Sequence, residues 1–455
     1  MKPATRLLYS CFIALLFPAA AAAQLKYYVA AAAQGGNDAN AGTSLSAPFA
    51  TIAKAVSKAT TPGDTVFVRS GTYAVNTPVK ITHPGAAGKP IVITVYKPDM
   101  KDAGSRPVFD CSSMAVGGNN KGFVLDNAGY RVIYGIVIKG AGDNGMSIEH
   151  SNHVTIEFCS FLQNHDSGLQ IADLSAHVTI INCDAYENAD RGPGTTTAGG
   201  NADGFAPKIN VGDSVLFRGC RAWMNSDDGW DGYLRTKKRG GKDNVTTTLE
   251  DCWAFCNGYY WLDGSTTQVQ NGNGFKLGGS DTKDEAHNFV LIKCLSFYNK
   301  ERGFDQNSNA GSIYLYNCSA YRNGGNDYAL KSGKAIYKAG AELVLKNNMS
   351  LGARGVNIPA ESTPTRRLVM EHNVFSKDTF SREIRSFDTT GVTGMRDVAG
   401  NLPRIKFMHL DAAAPAPHIY INKGVALPEV VYHGKTGLPA SGRTIDIGAF
   451  EAGME

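Results

Sequence analysis

Short runs rich in β-branched and aromatic residues recur through the middle of the chain, at 153–158, 178–182, 214–218, 245–250, 289–293 and 312–317. Gly, Asn and Asp bound them, so each reads as a strand. Each run leads into a Cys, with an Asn five residues later: Cys159/Asn164, Cys183/Asn188, Cys220/Asn225, Cys252/Asn257, Cys294/Asn299 and Cys318/Asn323. A bulky residue stands between the two: Leu162, Tyr186, Trp223, Phe255, Phe297, Tyr321. A repeat of this kind predicts a solenoid. The Cys-to-Cys spacings of 24, 37, 32, 42 and 24 disfavour helical repeats of fixed length. A sandwich or barrel also uses strands at such intervals. Identical residue types in columns favour a parallel β-helix, because like residues stack in register at roughly 4.8 Å. Uneven spacing then marks loops of varied length leaving the coils.

The expected fold is all-β, a right-handed parallel β-helix with a short N-terminal capping helix. The Cys column is expected inside as a stack of small apolar side chains. Neighbouring thiols could pair, but most members have two neighbours, so no pairing follows. The Asn column is expected to turn a corner of each coil, since Asn tolerates φ > 0 and bonds nearby backbone. Residues 49–59 read as the cap over the open end, with coils from about Asp64 past Asn348 and Asn373. The register fades after about Ser376, and no linker separates a second domain.

Met1–Ala23 carries Lys2 and Arg6, an apolar run and Ala21-Ala22-Ala23, the pattern of a cleaved signal peptide. Residues 24–455 are then one catalytic domain, a secreted monomer in the medium or the periplasm. No later stretch reaches the roughly 20 apolar residues of a membrane span. With 45 basic against 41 acidic residues, bulk charge gives no ground for nucleic-acid binding.

A second column carries the chemistry. Gly followed by a bulky residue recurs at Gly168-Leu169, Gly204-Phe205, Gly229-Trp230, Gly274-Phe275 and Gly303-Phe304. The bulky residue should point inward. The Gly should bend the strand and let its polar neighbours reach solvent. The residues before Gly are Ser167, Asp203, Asp228, Asn273 and Arg302; those two after it are Gln170, Ala206, Asp231, Lys276 and Asp305. This alignment stacks Asp203 on Asp228, with Asp227 and Asp231 beside them. A single acidic pair reads as a solvated patch. Four carboxylates crowded together repel, and point to a bound cation. All-oxygen ligands without His or Cys point to calcium.

Lys276 is the next occupant of the Asp231 column. A lone Lys on such a face is ordinarily a solvated charge, but one beside a cation has its protonation disfavoured and becomes a candidate base. The arrangement suits removal of the C5 proton of a uronate and β-elimination of the 4-linked sugar, the metal holding the carboxylate.

Asn201-Ala-Asp-Gly-Phe205, Ser226-Asp-Asp-Gly-Trp-Asp231 and Asn271-Gly-Asn-Gly-Phe-Lys-Leu-Gly-Gly279 resemble polysaccharide lyase family nine. The resemblance implies a secreted right-handed β-helix lyase, with calcium on Asp203, Asp227, Asp228 and Asp231 and Lys276 as Brønsted base. It implies an acidic pectic substrate, polygalacturonate or rhamnogalacturonan I. Asn273 and Arg302 are the candidate substrate contacts, with an ion pair to Asp305 as the other reading of Arg302. The basic stretch 232–240 is either a uronate-binding loop or a solvated turn. A β-helical polygalacturonase would need a Gly-His-Gly, which the chain lacks. Its Arg404-Ile-Lys406 stands about a hundred residues beyond the Asp and Lys columns and reads as chance. A non-catalytic glycan-binding β-helix is the remaining alternative, and would show no dependence on Lys276.

Overall fold

The computed structural model describes residues 23–190, 199–260, 267–268, 272–352, 354–427 and 445–453. The signal-peptide reading, apart from Ala23, and Asn271 of the third motif lie outside them. Three parallel sheets of 12, 11 and 10 strands run the length of the molecule. Among the described residues, each complete coil gives one strand to each sheet. One coil, for example, contains Val215–Arg218, Arg221–Trp223 and Trp230–Asp231. It lies on Thr179–Ile181, Asp184–Tyr186 and Phe205–Pro207 of the coil before. The expected parallel β-helix is present.

The coils begin earlier than expected. Lys26–Val29 already pairs with Thr65–Val68 in register, so the first strand precedes the capping helix. That helix, Ile52–Lys58, starts at Thr51, whose hydroxyl accepts from Lys54 N. Its buried face, Ile52, Ala55 and Val56, joins Val29 and Val79 in the core at that end. The last ladder strand is Val374–Phe375.

The six Cys of the column are buried free thiols. The Asn column behaves otherwise than expected. The left-handed residue at each corner stands one position earlier, at Gln163, Glu187, Met224, Cys256, Tyr298 and Arg322, with φ of 49–57°. The Asn side chains are instead buried in a continuous ladder. Each side-chain amide donates to the Oδ1 of the next, from Asn164 through Asn188, Asn225, Asn257, Asn299 and Asn323, and the last donates to Asp327 Oδ1, all at 2.7–2.9 Å. The same Oδ1 accepts the backbone N–H of the Asn before it, as Asn257 Oδ1 does from Asn225 N at 3.2 Å. Buried amides must be satisfied, and stacking does this without water. Asn225→Ala strips partners from both Asn188 and Asn257. Its expected cost is on the order of 3 kcal/mol, at about 1–3 kcal/mol per orphaned group, read from the denaturant midpoint.

Alternation along the second sheet puts Ala222 and Ala254 inside and Trp223, Phe255, Phe297 and Tyr321 outside. Those rings stack, Tyr186 on Trp223 at 4.2 Å and Phe255 on Phe297 at 4.8 Å. Left bare, such a stripe would be a large exposed apolar patch. The segment after Phe375 returns along it. Ile384, Ile405, Phe407 and Leu410 bury the stripe in a second core, with the Phe407 ring 4.6 Å from that of Phe297.

Candidate active site

The Gly–bulky column lies on the third sheet. Its bulky members form an interior stack, Phe205–Trp230, Trp230–Phe275 and Phe275–Phe304, with centroids 4.9–5.1 Å apart. The glycines serve close approach rather than a bend. A Cβ on Gly229 would stand 2.5 Å from the Gly274 carbonyl oxygen and 3.0 Å from the Asn257 amide. None of the five takes a left-handed φ. The coils can therefore lie flat on one another here, and the polar residues flanking each Gly keep strict register.

That register makes Asp231, Lys276 and Asp305 direct partners across three coils. Asp228 N donates to Asp203 Oδ1 at 3.3 Å. Asp203, Asp228 and Asp231 each bring an oxygen within 4.8 Å of the others, and all three are buried. Asp227 lines the same cleft, which has a volume of about 270 Å³. Its Oδ1 is buried with no hydrogen-bond partner among the described residues. Lys276 Nζ stands 3.0 Å from Asp228 Oδ2 and 3.5 Å from Asp231 Oδ1, and opens onto the cleft.

Burial and mutual repulsion set the charges. Burial, with Asp228 next to it, holds the Asp227 carboxyl well above the ordinary range. Burial pushes Asp203 up to about 8; the repulsion of Asp231 and Asp228 adds to it and Lys208 works against it. Burial also raises Asp231, but Lys276 and Lys208 outweigh it and leave its carboxyl low. For Lys276, burial disfavours the ammonium, yet Asp228, Asp231, Asp227 and Asp203 together hold it well above the usual lysine value. A crowded, buried, all-oxygen cluster with an unpartnered Asp227 Oδ1 fits a hard cation.

The two candidate substrate contacts are both tied to neighbours. Asn273 is 4 % exposed. Its amide donates to Asp228 Oδ1 at 2.7 Å and its Oδ1 accepts from Arg302 N at 3.2 Å, so it braces Asp228 instead of reaching into the groove. Arg302 is half exposed and pairs with Asp305 at 3.0 Å. From the basic stretch, Arg235 lines the cleft whereas Lys237 pairs with Asp284.

One residue escaped the column reading. Lys208 Nζ lies 2.6 Å from Asp203 Oδ2 and 3.4 Å from Asp231 Oδ2. It follows the strand Phe205–Pro207, beyond the two aligned positions. The signal available was a cation five residues after Asp203 on the same coil.

Residues 27–348 match the model of the Pel9A-like right-handed β-helix region. The chain belongs to the Pel9A-like family. Within that family it is 32 % identical to pectate lyase L of Dickeya dadantii (strain 3937), over 93 % of this chain and 90 % of that protein. The solved structure of pectate lyase Pel9A aligns over 94 % of this chain and 96 % of its own, at 30 % identity and a TM-score of 0.76. A rhamnogalacturonan lyase structure aligns over 86 % and 97 %, at 26 % identity and a TM-score of 0.69. The Pel9A-like chain is thus a right-handed parallel β-helix and a polysaccharide lyase.

Proposed function

We propose that this lyase cleaves the uronate-containing backbone of pectin, with polygalacturonate as substrate, calcium as cofactor and Lys276 as base, and that it acts outside the cytoplasm after export on the Met1–Ala23 segment. The observation that carries the reading is Lys276 Nζ at 3.0 Å from a three-carboxylate cage on an open cleft. No helix among the described residues is long and apolar enough to cross a membrane.

Lys276 takes the C5 proton of the uronate into a new N–H bond. The C–H electrons form the C4–C5 double bond, the C4–O4 bond breaks, and the departing oxygen takes its proton from water. Asp203, Asp227, Asp228 and Asp231 would hold the calcium ion, which when bound supplies positive charge that offsets the carboxylates and attracts the substrate carboxylate. Arg235, which lines the cleft, is a cation for a neighbouring uronate, and the half-exposed Arg302, one coil beyond Lys276, is a second. Asn273 keeps Asp228 in place.

A second reading, the same reaction on rhamnogalacturonan I, is supported by the aligned rhamnogalacturonan lyase structure. The test is ultraviolet absorbance of unsaturated ends on both polymers. Chelator should abolish product and added calcium restore it. Because the bare carboxylates favour the Lys276 ammonium, the rate should climb as pH rises above neutrality. Activity that survives thorough chelation, or peaks in acid, sinks the proposal.

Lys208→Met tests the cage. Removing the counter-charge nearest Asp203, and one of the two beside Asp231, breaks a buried charge cluster, an expected loss of about 3–5 kcal/mol without metal. Calcium should then raise the melting temperature of the variant by more than that of the wild type. Equal shifts would show that Lys208 does not balance the cage.

A further inference from the structure

The C-terminal segment holds a second cleft, over the second sheet rather than the third. Along residues 404–407 burial alternates, with Ile405 and Phe407 buried and Arg404 and Lys406 exposed. Phe407 is clamped between Phe297 and Tyr321, at 4.6 and 5.7 Å, and its backbone bridges to Ser386. With the inward residues fixed, alternation leaves Arg404 and Lys406 both facing outward. They border a cavity of about 930 Å³. Its wall is aromatic: His409 stacks on Phe450 at 4.0 Å, beside Trp253. Neither the Arg404 nor the Lys406 side chain has an ion-pair or hydrogen-bond partner among the described residues. The acid in the cleft, Asp397, does not neutralise them. Its carboxylate is held within its own turn by Ala399 N and Asn401 N at 2.9 Å and by the Asn401 amide at 2.8 Å.

A polyuronate carries a carboxylate on each uronate and an apolar face on each ring. Two cations whose side chains have no partner among the described residues, on an aromatic-walled open cleft, complement both features. We infer that this cleft is a second binding site for the acidic polysaccharide, holding a stretch of chain away from the point of cleavage. The inference rests on the reading of the substrate as an acidic pectic chain. Holding one polymer at two places raises its local concentration at the catalytic cleft; a fragment too short to span both gains nothing.

The test is the double variant Arg404→Ser/Lys406→Ser, with Arg404→Glu/Lys406→Glu as a stronger form. Both positions are exposed, so melting temperatures should match the wild type. The expected result is a KM on the polymer raised at least about threefold, an unchanged kcat, and unchanged kinetics on a short oligouronate. In the Lys276→Ala background, retardation in a native gel containing the polymer should weaken, and weaken further for the Glu pair. Unchanged KM and retardation in both variants would overturn the inference, as would an equal loss of binding to polyphosphate. A wild type that releases no unsaturated product from either polymer would instead overturn the substrate reading.

Discussion

Lys276→Ala is expected to lower turnover about a thousandfold while leaving KM within a few-fold. A positioned general base contributes roughly 10²–10⁴. Lys208 opens onto the same cleft but is held at Asp203 and Asp231, its amine 2.6 Å from Asp203 Oδ2. The Lys276 amine is the one set against Asp228, 3.0 Å away, with Tyr233 beneath it at 5.8 Å. Lys276→Arg should be nearly as inactive. A guanidinium keeps the positive charge but does not give up its proton in this pH range, so this variant separates charge from basicity. Calcium affinity, measured by titration calorimetry, should be kept or tightened in Lys276→Ala, because one cation has left the carboxylates. Turnover within tenfold of the wild type, in a variant of normal melting temperature, would remove Lys276 from the role.

The register of the site was legible because a parallel coil converts equal offsets in the sequence into contact in space. Asp231 and Lys276 are 45 residues apart, yet are direct strand partners. Register identifies neighbours only where the offset is strict. Lys208 lies past the end of its strand, where chain length to the next coil varies, so no column contained it. Asn273 was in the right column, but a column specifies position along the coil and not where a flexible amide points. Its nearest strong acceptor was the Asp228 carboxylate, and it turned there. The Asn ladder shows in the sequence as a column; the propensity of Asn for φ > 0 predicts a corner, but the need of a buried amide for a partner wins, and the left-handed residue stands one position earlier. The C-terminal wrap does not repeat, so no register marks it. Its trace was the outward placement of Trp223, Phe255, Phe297 and Tyr321, large rings that alternation exposes unless another segment covers them.

What fastens that wrap is a buried charge cluster, and Asp184→Asn should cost a large share of the protein's stability. Asp184 Oδ1 accepts from Arg221 Nε at 2.8 Å and from Arg396 at 2.7 Å, and its Oδ2 accepts from Arg221 at 2.9 Å. Arg221 belongs to the coil; Arg396 belongs to the wrap. Arg221 also donates to the Val392 and Gly394 carbonyls, and Arg396 to those of Cys183 and Gly219. An amide at position 184 leaves two buried guanidinium groups without their counter-charge, an expected loss of about 3–5 kcal/mol. Because the lost contacts tie 392–400 to the coils, limited proteolysis should cut the C-terminal segment before the β-helix unfolds. Burial raises the Asp184 carboxyl, but Arg396 and Arg221 outweigh it and hold it well below the ordinary range. A carboxylate with a depressed folded pKa stabilises fully above its unfolded value of about 3.9 and loses that contribution as pH falls toward the folded value. The gap between wild type and Asp184→Asn in denaturant midpoint should therefore be constant above about pH 5 and shrink below about pH 4. A gap independent of pH down to the acid limit, or proteolysis that begins within the coils, would show that the ionised carboxylate is not what holds the wrap.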